Sequence, residues 1–177
     1  MTPSTYQETV ARAYDHAPTL SLGAVRAWRE LADVTMAQYS ALRSCITVVP
    51  VEMPEPYLDA VAMMRDIAQG RLFVSDVNHA HPVWSPEVNR AFRVVHDVVG
   101  HATTGAGFDW AGELRAWHKH ESTIDSAWAR AALFTEAVGQ VAWALHPSYG
   151  AGTFGRQKVA TLPQWLQWER VSAECAA

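Results

Sequence analysis

Residues 127–145 form an almost unbroken apolar run, interrupted by Arg130, Glu136 and Gln140. A membrane-spanning helix needs about 20 consecutive, predominantly apolar residues, so the interrupted run does not read as a span. It reads as a helix of the protein interior, and it takes a carboxylate there with it. Glu136 sits among Ala131, Ala132, Leu133, Phe134, Ala137, Val138 and Val141. Burying an unpaired charge costs several kcal/mol, so this residue requires a partner. A cation such as Fe²⁺ would serve, as would an arginine such as Arg93 or Arg130.

The rest of the chain is built to surround such a helix. Val25, Trp28, Leu31, Ala32, Thr35, Met36 and Tyr39 recur at steps of three and four, the period of one helix face, and Ser21 is placed to cap that helix. Residues 46–51 are β-branched and are followed by prolines 54 and 56, which predicts a short strand leading into a loop. A helix follows over 56–69 with Gly70 as its stop, and 71–75 is the second strand. Residues 76–86 read as an ordered loop. Ser85, Pro86 and Glu87 then start a helix that runs to about Thr103 and is ended by Gly105 and Gly107. Another helix spans 110–121, and a long one starts at Ser122 or Thr123 and ends near His146. A glycine-rich turn at 150–155 precedes a last short helix over 163–174. The expected fold is mainly α, a single domain over 1–177 with a helical bundle-like core and a minor two-stranded β element.

Size and charge narrow the function. At 177 residues the chain buries roughly 70% of its unfolded surface and needs no metal merely to fold, so a metal here would serve chemistry. Eighteen acidic against fourteen basic residues, without a basic block, argue against non-specific nucleic-acid binding. Cys45 and Cys175 lack metal or redox spacing and read as ordinary thiols. The first ten residues lack the basic start and apolar stretch of a signal peptide. The expectation is a cytoplasmic protein with no membrane partner, and the composition leaves a homo-oligomer open.

Chemistry concentrates around His96, Gly100 and His101. With Glu136, two imidazoles and one carboxylate match the ligand set that leaves open positions on iron(II) for oxygen and substrate. On an ideal α-helix a five-residue step turns by about 140°, so His96 and His101 share a face only where the helix widens. Gly100 permits such a π-type turn, and it leaves no side chain to crowd an ion beside His96.

The string His96-Asp-Val-Val-Gly-His101, followed by Phe134-Thr-Glu-Ala-Val-Gly139, resembles the iron motif of the aromatic amino acid hydroxylases. That resemblance covers residues 92–140. It implies a pterin-dependent monooxygenase with His96, His101 and Glu136 as iron ligands, O₂ as co-substrate, and a pterin or another reductant. The longer string Asn89-Arg-Ala-Phe-Arg-Val-Val-His-Asp-Val-Val-Gly-His101, with Gly107-Phe-Asp109, is also similar to uncharacterised proteins of actinobacterial phages.

Further candidates each have a plain structural alternative. Asp97 could orient a ligand imidazole or pair along its own helix face. Glu113 could take a proton-transfer or ligand role or sit on a solvated face. Arg90 and Arg93, one turn apart, could hold a substrate carboxylate or phosphate or form surface pairs. Trp110 could stack on a flat substrate or fill the core. The leading expectation is an iron(II) oxygenase acting on a small aromatic or heteroaromatic molecule. Two others are a His-Asp phosphohydrolase using His96, Asp97, His79 or His81, and Asp125, and a helical interaction protein without chemistry.

Overall fold

The computed structural model describes residues 3–77, 81–150, 152 and 157–167. Helix starts follow the capping residues. Ser21, Asp59, Ser85, Asp109 and Ser126 each accept a hydrogen bond from the backbone N–H three residues on, satisfying a donor that the first helical turn leaves free. They open α2 (Leu22–Leu42), α3 (Ala60–Ala68), α4 (Pro86–Val95), α5 (Trp110–Glu121) and α6 (Ala127–Leu133). A further helix, α1 (Pro3–His16), precedes them, and α7 (Gln140–Leu145) follows.

Two boundaries differ from the sequence expectation. α3 begins at Ala60 because the cap is Asp59, beyond the prolines. The long helix begins at Ala127, since the Ser122 and Thr123 hydroxyls donate back to the carbonyls of Lys119 and His120 and close α5. Most of the expected turn at 150–155 and of the helix over 163–174 lies outside the described residues, as do His79 and Cys175; residues 165–167 are helical.

Strands β1 (Thr47–Val51) and β2 (Arg71–Ser75) pair in parallel, with Thr47 opposite Arg71 and Val51 opposite Ser75. Parallel neighbours need a crossover rather than a tight turn, and α3 supplies it. The fold is mainly α, as expected.

Two apolar clusters hold these elements. The larger is built on Tyr14, Trp28, Leu31, Leu133 and Phe134, where α2 packs on α4 and α6, and α1 on α7. Two of its indoles are tied to backbone: that of Trp28 donates to the Ala160 carbonyl at 2.7 Å, and that of Trp84 to the Trp28 carbonyl at 2.9 Å. Buried Lys158 donates to the carbonyls of Tyr14 and Asp15. The smaller cluster, Met63, Leu72, Val74 and Val94, seats the sheet against α4. Members of both clusters line one cavity of about 810 Å³. No helix among the described residues is long and apolar enough to cross a membrane.

Candidate metal centre

α4 continues without a break into a π-helical segment, His96–Ala102. The wider turn does what the spacing requires: the His96 and His101 rings lie 5.0 Å apart, nearly perpendicular. Their Nε2 atoms lie 3.3 and 3.5 Å from one oxygen, Oε2 of Glu113. Among the described residues this is the one set of three such side chains whose ligand atoms fall within 4.8 Å of each other.

Glycines bring α5 close enough to deliver that carboxylate. A Cβ on Gly100 would stand 2.9 Å from the Ala116 carbonyl oxygen, and one on Gly112 only 2.0 Å from that of Gly107. The missing side chain of Gly100 is where α5 packs.

Hydrogen bonds fix the ring tautomers. The Thr123 hydroxyl donates to the His120 carbonyl and so accepts from the Gln38 amide nitrogen at 2.9 Å. The Gln38 oxygen then faces His120 Nε2 at 3.3 Å, which must carry the proton. This leaves His120 Nδ1 bare toward His96 Nδ1, 3.5 Å away. His96 therefore donates from Nδ1 and presents a bare Nε2 to Glu113. His101 Nδ1 donates to the Ala106 carbonyl at 3.2 Å, which in the neutral ring likewise leaves Nε2 without a proton. Such outer partners are the usual means of aiming an imidazole at a metal. His120 is suited to this neutral role, because burial, with the charge of His96, pushes it down to about 3.

With both rings neutral three lone pairs would converge, and they repel unless a proton or a metal ion sits among them. The titration behaviour expresses the same demand. Burial works to raise Glu113, yet the hydrogen bonds and charges of His101 and His96 hold it down to about 2. Burial works to lower His101, yet its bond to Glu113, with the charges of Glu113 and Asp97, raises it. Two imidazole nitrogens and one carboxylate oxygen fit a divalent transition ion such as iron(II).

Glu136 stands elsewhere in the same cavity. It lies in a second π-helical segment, Phe134–Gly139, between α6 and α7, and its Oε1 accepts from the Gln157 amide at 2.9 Å. Oε2 has no hydrogen-bond partner among the described residues. Burial pushes the carboxyl up to about 7, against the pull of Gln157 and Arg93. The converging carboxylate is accordingly Glu113 rather than Glu136. A sequence signal for it exists: Glu113, Ala116, Trp117 and His120 follow at three- and four-residue steps and form the inward face of α5.

The remaining candidates separate. Asp97 and Arg93 line the cavity. Burial pushes Asp97 up to about 6, with His96 and His101 opposing, and burial lowers Arg93, with Glu136 and Asp97 opposing. Arg90 is not among the cavity walls; it pairs with Asp76 at 2.8 Å near the surface. Trp110 also lies outside them, against Tyr6 with ring centroids 6.0 Å apart in the main cluster. The aromatic walls are instead Tyr57, Phe73, Phe92 and Phe108, of which the two from the sheet region carry no motif signal. His81 is stacked on Trp84 and tilted against Trp28, its Nδ1 accepting two backbone N–H groups, and Asp125 is exposed, so neither joins His96 and Asp97. In comparisons with known proteins, no family model, no curated protein and no solved structure matches the chain.

Proposed function

We propose that the protein is a non-heme iron(II)-dependent oxygenase acting on a small aromatic or heteroaromatic molecule, with His96, His101 and Glu113 as metal ligands. The observation that carries this reading is the convergence of two oriented imidazole nitrogens and one carboxylate oxygen at the wall of a cavity lined by aromatic rings. Bound iron would supply the one-electron chemistry that lets O₂ react with an organic substrate. The chain supplies the rest. Three ligands on one side leave the other positions free. Phe92 stacks on His96 and Phe108 stands edge-on to His101, giving the site an apolar flank, and Asp97 lines the same cavity beside the ligands.

The test is iron stoichiometry under anaerobic conditions, followed by oxygen uptake with a reductant and a panel of aromatic compounds. One iron per chain is expected, lost in His101→Ala, together with uptake that requires both bound iron and a substrate. Equal iron content, or equal uptake, in wild type and His101→Ala would falsify the reading.

A further inference from the structure

Assigning Glu113 to the metal leaves Glu136 without a task, and it is not alone. Asn89 is 1% exposed and Glu136 5% exposed, and both line the cavity. The Asn89 amide nitrogen and Glu136 Oε2 each lack a hydrogen-bond partner among the described residues. A buried polar group left this way is costly, and folded proteins keep few of them. One of these is a donor and the other is a carboxyl oxygen. Asn89, Arg93 and His96 follow at i, i+4 and i+7 along α4, so the wall passes from amide to guanidinium to metal ligand over about 10 Å.

Charge decides what fits. Arg93 already faces two carboxyl groups, Glu136 and Asp97, so a carboxylate or phosphate entering here would find the one guanidinium engaged by two acidic side chains. An ammonium group would satisfy Glu136 but offer nothing to the Asn89 N–H. A neutral amide or lactam offers an N–H and a C=O together, and the rings of Phe73, Phe92 and Phe108 suit a flat body behind it.

We propose that the cavity recognises its substrate through a neutral amide or lactam edge, the N–H received by Glu136 and the carbonyl held by Asn89. This rests on the reading above only in leaving Glu136 free of the metal.

The experiment titrates chelator-treated protein with naphthalene-2-carboxamide, 2-naphthoate and 2-naphthylmethylamine, which share a ring and differ in the head group. The amide is expected to bind about tenfold more tightly than either relative, the equivalent of ~1.4 kcal/mol. That preference should disappear in Glu136→Gln, where the outward atom becomes a donor, and in Asn89→Leu. Co²⁺ affinity, measured separately, should stay within about threefold of wild type in Glu136→Gln. Equal binding of the three head groups, no binding of any, or an undiminished amide preference in Glu136→Gln would overturn the proposal. Wild-type protein that binds the amide selectively but takes up no Co²⁺ would sustain the subsite and sink the metal. Glu136→Gln is close to isosteric, so the test stands even where Asn89→Leu fails to fold.

Discussion

The molecule uses the same backbone device twice, with different results. Both π-helical segments, His96–Ala102 and Phe134–Gly139, continue an α-helix and turn buried polar side chains toward one cavity. In the first, every imidazole nitrogen has a polar neighbour: the outer nitrogens meet Ala106 and His120, and the inner ones face Glu113. In the second, Gln157 holds one Glu136 oxygen and the other has no partner among the described residues. A widened turn only brings groups to a wall. Their outer hydrogen bonds then decide whether they form a rigid cage for an ion or an open receptor for a ligand.

The largest expected effect breaks the symmetry between the two carboxylates. Glu113→Gln should weaken Co²⁺ binding by at least about a hundredfold, since it removes a charged ligand, whereas the same change at Glu136 should leave it nearly unchanged. Calorimetric titration of the two variants side by side decides this, and equal losses would erase the distinction drawn between the segments.

A smaller effect probes the commitment of the first segment. Loss of an outer-shell partner typically costs 10–100-fold in metal affinity, and His120→Leu should fall in that range. His120→Asn, whose side-chain oxygen can accept where Nδ1 does, should recover most of the loss. In Co²⁺-loaded protein the exchangeable Nδ1 proton of His96 should give a paramagnetically shifted NMR signal that vanishes in His120→Leu, while that of His101 persists. Both signals surviving in the leucine variant would dissociate His120 from the centre.

The smallest effect is on stability and concerns the second segment. Glu136 is raised to about 7 in the folded chain against about 4.3 for a free glutamate, so the folded state holds this proton more tightly than the unfolded one. The resulting stability is complete below about pH 4 and is lost as pH rises toward and through 7. Glu136→Gln removes that dependence. Its thermal midpoint should match wild type at pH 4 and exceed it by a few degrees at pH 8, and an unchanged difference across that range would show that Glu136 is not protonated preferentially in the native protein.

Local grammar made much of this legible beforehand. Ser21 and Ser85 announce their helices because an N-cap acts on atoms three residues away, and the His96, Gly100, His101 spacing announces a π turn because an α-helix cannot align i with i+5. Glu113 was harder to place. Its neighbours Lys119 and Glu121 suggest a wet helix, and its inward direction depends on the contact of Ala116 with Gly100, twelve or more residues earlier in the chain. For Trp110 and Arg90 the plain alternatives, core filling and a surface pair, are what the structure shows, because proximity in sequence to the motif says little about which wall a side chain joins. Glu136 was read correctly as a buried carboxylate in need of a partner, but nothing local tells an ion from a ligand.

Gln38 lies on α2, yet through His120 on α5 it settles which nitrogen of His96 faces the centre. Three helices that are distant in the chain are therefore joined by one row of protons. An ion seated on His96 would act as a rivet through that row, so that filling the centre also tightens the N-terminal third of the molecule onto the rest, and the whole chain's resistance to heat should climb with the logarithm of metal concentration.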